Sequence, residues 1–240
     1  MDWPESAAEL IGLQGRLAAA ADEVEPWLPP GEMGELLAAG VFVTFPTGSH
    51  GPGRAGEPAW AAAACARGAH PEGTALLRGP SGAPYAAGLL ALREGALLEG
   101  AIRALQQRPD LVVVDATGRD HPRRAGLALH LGAVLDLPTV GVTNRPLLAD
   151  VGASLGRERG AAAPLTLEGA LVGYAVRART GTNQLCAHAA WRTTPETARD
   201  LLLALTGRRR TPEPLRLART LARVARAGDE GRLPPRGRHG

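Results

Sequence analysis

Two carboxylates and a short polar turn carry the chemistry that can be read from this sequence. Asp115 ends the apolar run Leu111-Val112-Val113-Val114. That is the pattern of a central strand buried on both faces, with its acid at the carboxyl end, where open α/β sheets bind ligands. Glu94 falls near the start of a helix-forming stretch, Leu89 to Leu105, that would lie beside this strand. Two oxygen ligands on separate rigid elements suit one Mg²⁺ or Mn²⁺, with water and a phosphate oxygen filling its shell. After Asp115 come Gly118, then His121-Pro122, a turn that leads to Arg123 and Arg124. Paired arginines there suit a phosphate backbone. Singly, each residue also has a plain structural role. An aspartate at a strand end often caps a helix, a helical glutamate is usually solvated, and a histidine before proline usually shapes a turn.

The elements that must position these groups follow from periodicity. Apolar spacing predicts a helix over residues 4–20, with Pro4 in its first turn and Leu10, Leu13 and Leu17 on one face. Val41-Phe42-Val43-Thr44-Phe45 reads as a strand, and Trp60 to Cys65 as a run that pairs beside it. Between them, residues 48–58 are dense in Gly and Pro and read as a loop. Leu111–Asp115, a helix over Gly126–Leu135 and a strand over Thr139–Val142 make a βαβ unit. Leu171–Ala178 reads as a further strand. Thr194-Pro195-Glu196 opens one helix, and Thr211-Pro212-Glu213-Pro214 opens a last one running to about Ala227. The expected fold is α/β, a mixed sheet flanked by helices on both faces, in one domain over residues 1–227. Residues 228–240 are read as a disordered tail rich in Arg, Gly and Pro.

Composition bounds the partners. The 240 residues carry a net charge of +3, and every one of the 27 basic residues is arginine. Coding bias toward GC-rich codons accounts for that as readily as phosphate binding does, so charge permits nucleic acid without demanding it. No apolar run is long enough for a membrane helix. The non-basic start and two cysteines, Cys65 and Cys186, predict a cytoplasmic protein with free thiols.

Taken together, the ordered segments resemble one family. Pro84-Tyr85, Gly88-Leu89-Leu90-Ala91-Leu92-Arg93-Glu94-Gly95, Val114-Asp115-Ala116-Thr117-Gly118-Arg119-Asp120-His121-Pro122-Arg123-Arg124, Leu137-Pro138-Thr139-Val140-Gly141-Val142 and Pro212-Glu213-Pro214-Leu215-Arg216-Leu217-Ala218 are similar to the signature of endonuclease V. The resemblance runs from about residue 5 to residue 226. It implies an RNase H-like core, Mg²⁺-dependent cleavage near deoxyinosine or inosine, and DNA or RNA as partner. It further implies that Tyr85 is a wedge filling the gap left by an extruded base. Asp115 and Glu94 would be the metal-binding acids, His121 a residue of the base-pocket loop, and Gly88 and Gly118 part of the pocket wall.

The sequence also departs from that signature. Ala39-Gly40-Val41 is followed by Phe42 where the family has aspartate. Gly141-Val142 is followed by Thr143-Asn144 where it has Ala-Lys, and Trp191 stands where a late histidine is expected. The proline after the wedge tyrosine is replaced in Ala86-Ala87. A phenyl ring cannot ligate a metal, and losing a carboxylate that neutralises charge in the phosphoryl transition state costs several kcal/mol. Asp120 or His188 turning inward would supply a substitute ligand, although both are expected at the surface or in loops. Three readings follow: a divergent metal-dependent endonuclease, a non-catalytic binder of nucleic acid or a modified base, and a scaffold reused for a nucleoside-like small molecule, with Phe42 and Trp191 forming an apolar pocket.

Overall fold

The computed structural model describes residues 2–48, 51–152 and 154–232. Among them nine strands form one sheet and five helices cover it. In chain order these are α1 (Ala7–Glu23), β1 (Leu37–Thr44), β2 (Pro58–Arg67), β3 (His70–Pro80), α2 (Leu90–Arg103), β4 (Leu111–Val114), α3 (Leu127–Leu135), β5 (Thr139–Thr143), β6 (Asp150–Val151), β7 (Ala162–Leu167), β8 (Ala170–Val176), β9 (Leu185–Ala189), α4 (Pro195–Ala204) and α5 (Glu213–Asp229). The sheet order is β3-β2-β1-β4-β5-β9-β8-β7-β6. β1, β4 and β5 run parallel at its centre, with antiparallel strands on both sides.

The expected βαβ unit is present, and β2 does pair with β1, with Phe42 opposite Ala62. Its alanines are tolerated because β2 is buried along nearly its whole length, and small side chains let α2 and α5 sit close on either side. β3, β6, β7 and β9 were not expected. β3 is largely exposed and lacks an apolar alternation, while Leu185-Cys186-Ala187-His188-Ala189 carries a histidine that masks a fully buried strand. The first helix starts later than predicted. Ser6, and not the residue before Pro4, is the cap: its hydroxyl accepts from the Glu9 amide at 3.2 Å.

Two apolar layers hold the sheet. On one face α1, α2 and α3 bury Leu10, Leu17, Leu98 and Leu129 against Val41, Val112 and Val114. On the other, α4 and α5 bury Leu201, Leu202 and Leu215 against Val113, Val140 and Val142. Alternation along the strands therefore decides which layer each side chain joins. Val41 and Val43 go to the first layer, and Phe42 between them goes to the second.

The last helix runs to Asp229, past the expected end, and the residues after it are tied down as well. Asp229 accepts from Trp60 Nε1 at 2.7 Å and pairs with Arg78, and Glu230 accepts from the Thr47 amide at 2.7 Å. The predicted tail therefore starts too early in the sequence reading; residues 233–240, its remainder, lie outside the described residues. Cys65 and Cys186 are both buried and free.

The start of α5 lies directly on β1. A Cβ built on Gly40 would stand 2.2 Å from the Leu215 amide nitrogen and 2.3 Å from the Pro214 carbonyl carbon. Those neighbours are backbone and cannot swing away. Gly40→Ala is therefore expected to destabilise the fold by about 3 kcal/mol or more, at or above the upper end of ordinary overpacking. Urea denaturation of the variant beside the parent protein reads this directly.

Candidate functional site

The cleft at the carboxyl ends of β1 and β4 holds most of the residues singled out above. It consists of two adjoining hollows that share Tyr85, Leu90 and Asp115. The first, of about 250 Å³, is lined by Phe42, Val43, Glu94 and Leu98 with the shared residues. The second, of about 200 Å³, is lined by Gln14, Gly88, Thr117, His121, Thr143 and Leu147 among others. Glu94 from α2 and Asp115 from β4 thus meet in one space. Tyr85 is 54% exposed at the junction, free to contact a ligand.

The loop that carries Tyr85 is fastened from below. Arg93 on α2 is buried and forms an ion pair with the equally buried Glu57. It also donates to the Ala83 carbonyl at 2.8 Å and lies 3.9 Å from the centre of the Phe45 ring. The Tyr85 amide donates to the Pro52 carbonyl at 2.7 Å.

The wall of the second hollow is built on one carbonyl. Gly88, at φ +74°, takes a conformation that suits glycine. Its oxygen receives Gln14 Nε2 at 3.0 Å, Arg123 Nη2 at 2.8 Å and His121 Nε2 at 3.1 Å. His121 Nδ1 in turn accepts from the Arg123 amide at 3.2 Å, which fixes the ring as the Nε2–H tautomer. Burial, partly opposed by the Gly88 carbonyl, holds the His121 pKa down at about 4, so the ring is neutral at pH 7. Arg123 and Arg124 do not turn outward as expected. Arg123 is spent on Gly88 and Gln14, and Arg124, at φ +56°, donates to the Leu167 carbonyl at 2.7 Å and pairs with Glu168. Gly118 lies outside the lining, packed on the Ala189 carbonyl, which a Cβ would meet at 2.1 Å.

The first hollow differs from a metal site. Asp115 is engaged by Arg219 of α5, with Nη2 2.8 Å from Oδ1 and Nε 3.3 Å from Oδ2. The Phe42 ring lies beneath, 5.7 Å from the Arg219 guanidinium carbon and 5.4 Å from that of Arg223. Burial raises the Glu94 pKa to about 8; Arg93 opposes the shift and Asp115 adds to it. Glu94 is therefore mostly protonated at pH 7 and a poor ligand for a cation. Among the described residues no group of three or more His, Cys, Asp or Glu could hold a metal ion. The donor set does not fit a divalent ion.

Two further positions need correction. Trp191 belongs to the opposite layer from Phe42 and packs against Thr139 at the start of β5 and Gly132 of α3. It lines neither hollow, so the two aromatics do not form one pocket. Asn144 does sit by a cation, accepting from Arg210 Nη2 at 2.9 Å, and Arg210 feels Arg219 through space. Asp120 and His188, expected outside, are both fully buried. Asp120 accepts from the amides of Leu147, Leu148 and Ala149 at 2.7, 2.9 and 2.9 Å, so its oxygens are occupied and it is no substitute ligand. Arg219 was missed. The arginines at 216, 219, 223 and 226 recur at helical spacing along α5, the one sequence signal that would have found it.

The family model for endonuclease V matches residues 39–220. The chain belongs to the endonuclease V family. The endonuclease V of Nocardia farcinica is 43% identical over 152 residues, 63% of this chain and 66% of that protein. The crystal structure of the Streptomyces avermitilis endonuclease V superposes with a TM-score of 0.82 at 34% identity, covering 95% of this chain and 96% of that one. These neighbours carry the RNase H-like fold. A Ciona intestinalis endonuclease V, solved in complex with a 24mer DNA containing an inosine, has a TM-score of 0.73 and covers 91% of this chain and 96% of its own; at 18% identity it shows the fold alone. The match to the Nocardia protein and to a Rhodospirillum centenum relative, 66% and 63% of their lengths, falls just short of two thirds. Endonuclease V nucleases are in general metal-dependent.

No helix among the described residues is long and apolar enough to cross a membrane. The buried titratable groups set a pH profile for stability. Burial pushes His121 and His130 down to about 4 and holds His188 down as well. Their folded pKa values lie below the unfolded ones, so stability should rise as pH increases from about 4 to 6.5. Glu94 acts in reverse: its pKa of about 8 lies above the unfolded value of 4.5, so its contribution is lost as pH rises toward 8. Stability should peak near pH 6.5 and decline above it by up to about 1.4 kcal/mol per pH unit. Urea midpoints measured across pH 4–9 test this, and Glu94→Gln should flatten the alkaline limb and steepen the rise between about pH 4.5 and 6.5.

Proposed function

We propose that this protein binds nucleic acid carrying an extruded 6-oxopurine such as inosine, and that it does so without a divalent cation and without cutting. The observation that carries the reading is the Asp115–Arg219 pair at 2.8 Å. A guanidinium there supplies one positive charge to the Asp115 carboxyl group, and Phe42 closes the side from which a second acid would reach an ion.

The remaining parts support binding. Tyr85 stands exposed beside the second hollow, as a stacking residue must. The exposed Arg223, over the Phe42 ring, takes the phosphate-facing role that Arg123 and Arg124 cannot fill. DNA bound by the Ciona relative makes DNA the first ligand to try.

The test is fluorescence anisotropy with a duplex holding one inosine, in EDTA and in Mg²⁺ or Mn²⁺, with the products run on a denaturing gel. The expected result is the same Kd in all three buffers and an intact strand. Metal-dependent scission above background would overturn the reading. Tyr85→Ala should weaken binding about 5- to 100-fold, the range of one lost base–aromatic stack. Arg223→Ala should reduce the slope of log K against log salt by about 1, with little change in base preference.

A further inference from the structure

The loop that leaves β5 is exposed, yet it is held at three points. The Thr143 hydroxyl donates to the Arg145 carbonyl at 2.7 Å. Asn144 Oδ1 accepts from Arg210 Nη2 at 2.9 Å. The amides of Leu147, Leu148 and Ala149 all donate to the Asp120 carboxylate, at 2.7, 2.9 and 2.9 Å. Bonds to a carboxylate are stronger than those between neutral groups. Asp120 is fully buried, so water does not compete for its oxygens. The chain from residue 143 to 149 is therefore fixed in one shape.

That shape keeps two large apolar side chains in water. Leu147 is 45% exposed and Leu148 is 49% exposed. A single exposed leucine is ordinary, but a neighbouring pair on a loop that cannot fold them inward is a surface built for contact. Arg145, on the same loop, is exposed as well. Leu147 lines the second hollow together with Tyr85, so the leucine pair and the tyrosine border one opening.

Apolar tips flanked by a cation suit a nucleic acid whose stacking is broken. Leucine is among the side chains that enter between base steps and unstack them, and arginine beside it holds the phosphate. A base extruded into the hollow leaves its former partner unpaired and the neighbouring step open. A second copy of the chain would also cover two leucines, but it gives no reason for Arg145 beside them or for Leu147 in the lining of the hollow. Resting on the binding reading above, we infer that this loop is a second wedge. Leu148 enters the duplex beside the extruded base and rests on the orphaned partner base, while Arg145 holds a flanking phosphate. Asp120 is a positioning residue that keeps the leucines from retreating.

The probe is a duplex with one inosine opposite 2-aminopurine, whose fluorescence rises when it is unstacked. The parent protein should brighten it on binding. Leu148→Ser, with an unchanged thermal melt, should remove most of that rise and weaken Kd about 3- to 10-fold, the worth of burying the exposed half of one leucine. Leu148→Met should restore both. Arg145→Ala should lower the slope of log K against log salt by about 1. In the free protein, hydrogen exchange at the amides of residues 147–149 should be slow and should quicken in Asp120→Asn; equal exchange in the two overturns the positioning role. Brightening and Kd untouched by Leu148→Ser, where Tyr85→Ala still weakens binding, refute the wedge and leave the binding reading standing. Sedimentation checks the other occupant: a parent that dimerises and a Leu148→Ser variant that does not would assign the leucines to a second copy and overturn the wedge. If the parent protein binds no inosine duplex, the binding reading itself fails and the wedge falls with it.

Discussion

The contact of α5 with β1 at Gly40 fixes the geometry of the charged side of the cleft. Because position 40 has no side chain, the first turn of α5 rests on the strand backbone, where a Cβ would lie 2.2 Å from the Leu215 nitrogen. The helix then runs along the sheet with Ala218 and Ala222 against it and its arginines at the margin. One turn after Leu215, Arg219 reaches the carboxylate at the end of β4. One turn later, Arg223 reaches the ring of Phe42. Any side chain at position 40 would lift the helix and separate the guanidinium from Asp115, so the electrostatics of the site depend on a packing contact a strand away.

Much of this was legible in the residues. The strand ending in Asp115, the helix bearing Glu94 and the parallel β5 all lie where periodicity put them, because those segments are apolar and regular. The family motifs added that they converge. What stayed hidden depended on partners distant in sequence. Asp120 reads as a surface acid until the amides of Leu147, Leu148 and Ala149 are folded onto it. Arg123 and Arg124 read as phosphate contacts until Gly88 and Leu167 supply carbonyls to them. Trp191 and Phe42 read as neighbours only while the sheet between them is ignored; strand alternation and the return of the chain at β9 place them in different layers. The Arg219 contact spans 104 positions, and no local pattern announces such a pair.

The replacements at the cleft are consistent with one another once charge is counted. A divalent ion at a phosphate site is held by one or two carboxylates, and two neutralise its charge where one does not. Here one candidate acid is Phe42, and Glu94, with its pKa near 8, is mostly neutral, which leaves Asp115. A doubly charged ion beside one carboxylate would leave a positive excess among Arg210, Arg219 and Arg223, with like-charge repulsion in a partly buried space. A single guanidinium balances the single carboxylate and needs no further ligands. Phe42 contributes as well, since its ring face favours the two neighbouring cations. Phe42 on β1, the proton held by Glu94 and Arg219 on α5 thus describe one electrostatic state. The wall at Gly88 and His121 is held by other bonds, which run to α1 and to the loop after β4, while Asp115, on the far side of the same hollow, is the part tied to α5. In the binding reading proposed above, the wall that holds the base is thus built by other elements than the helix that carries the ion pair.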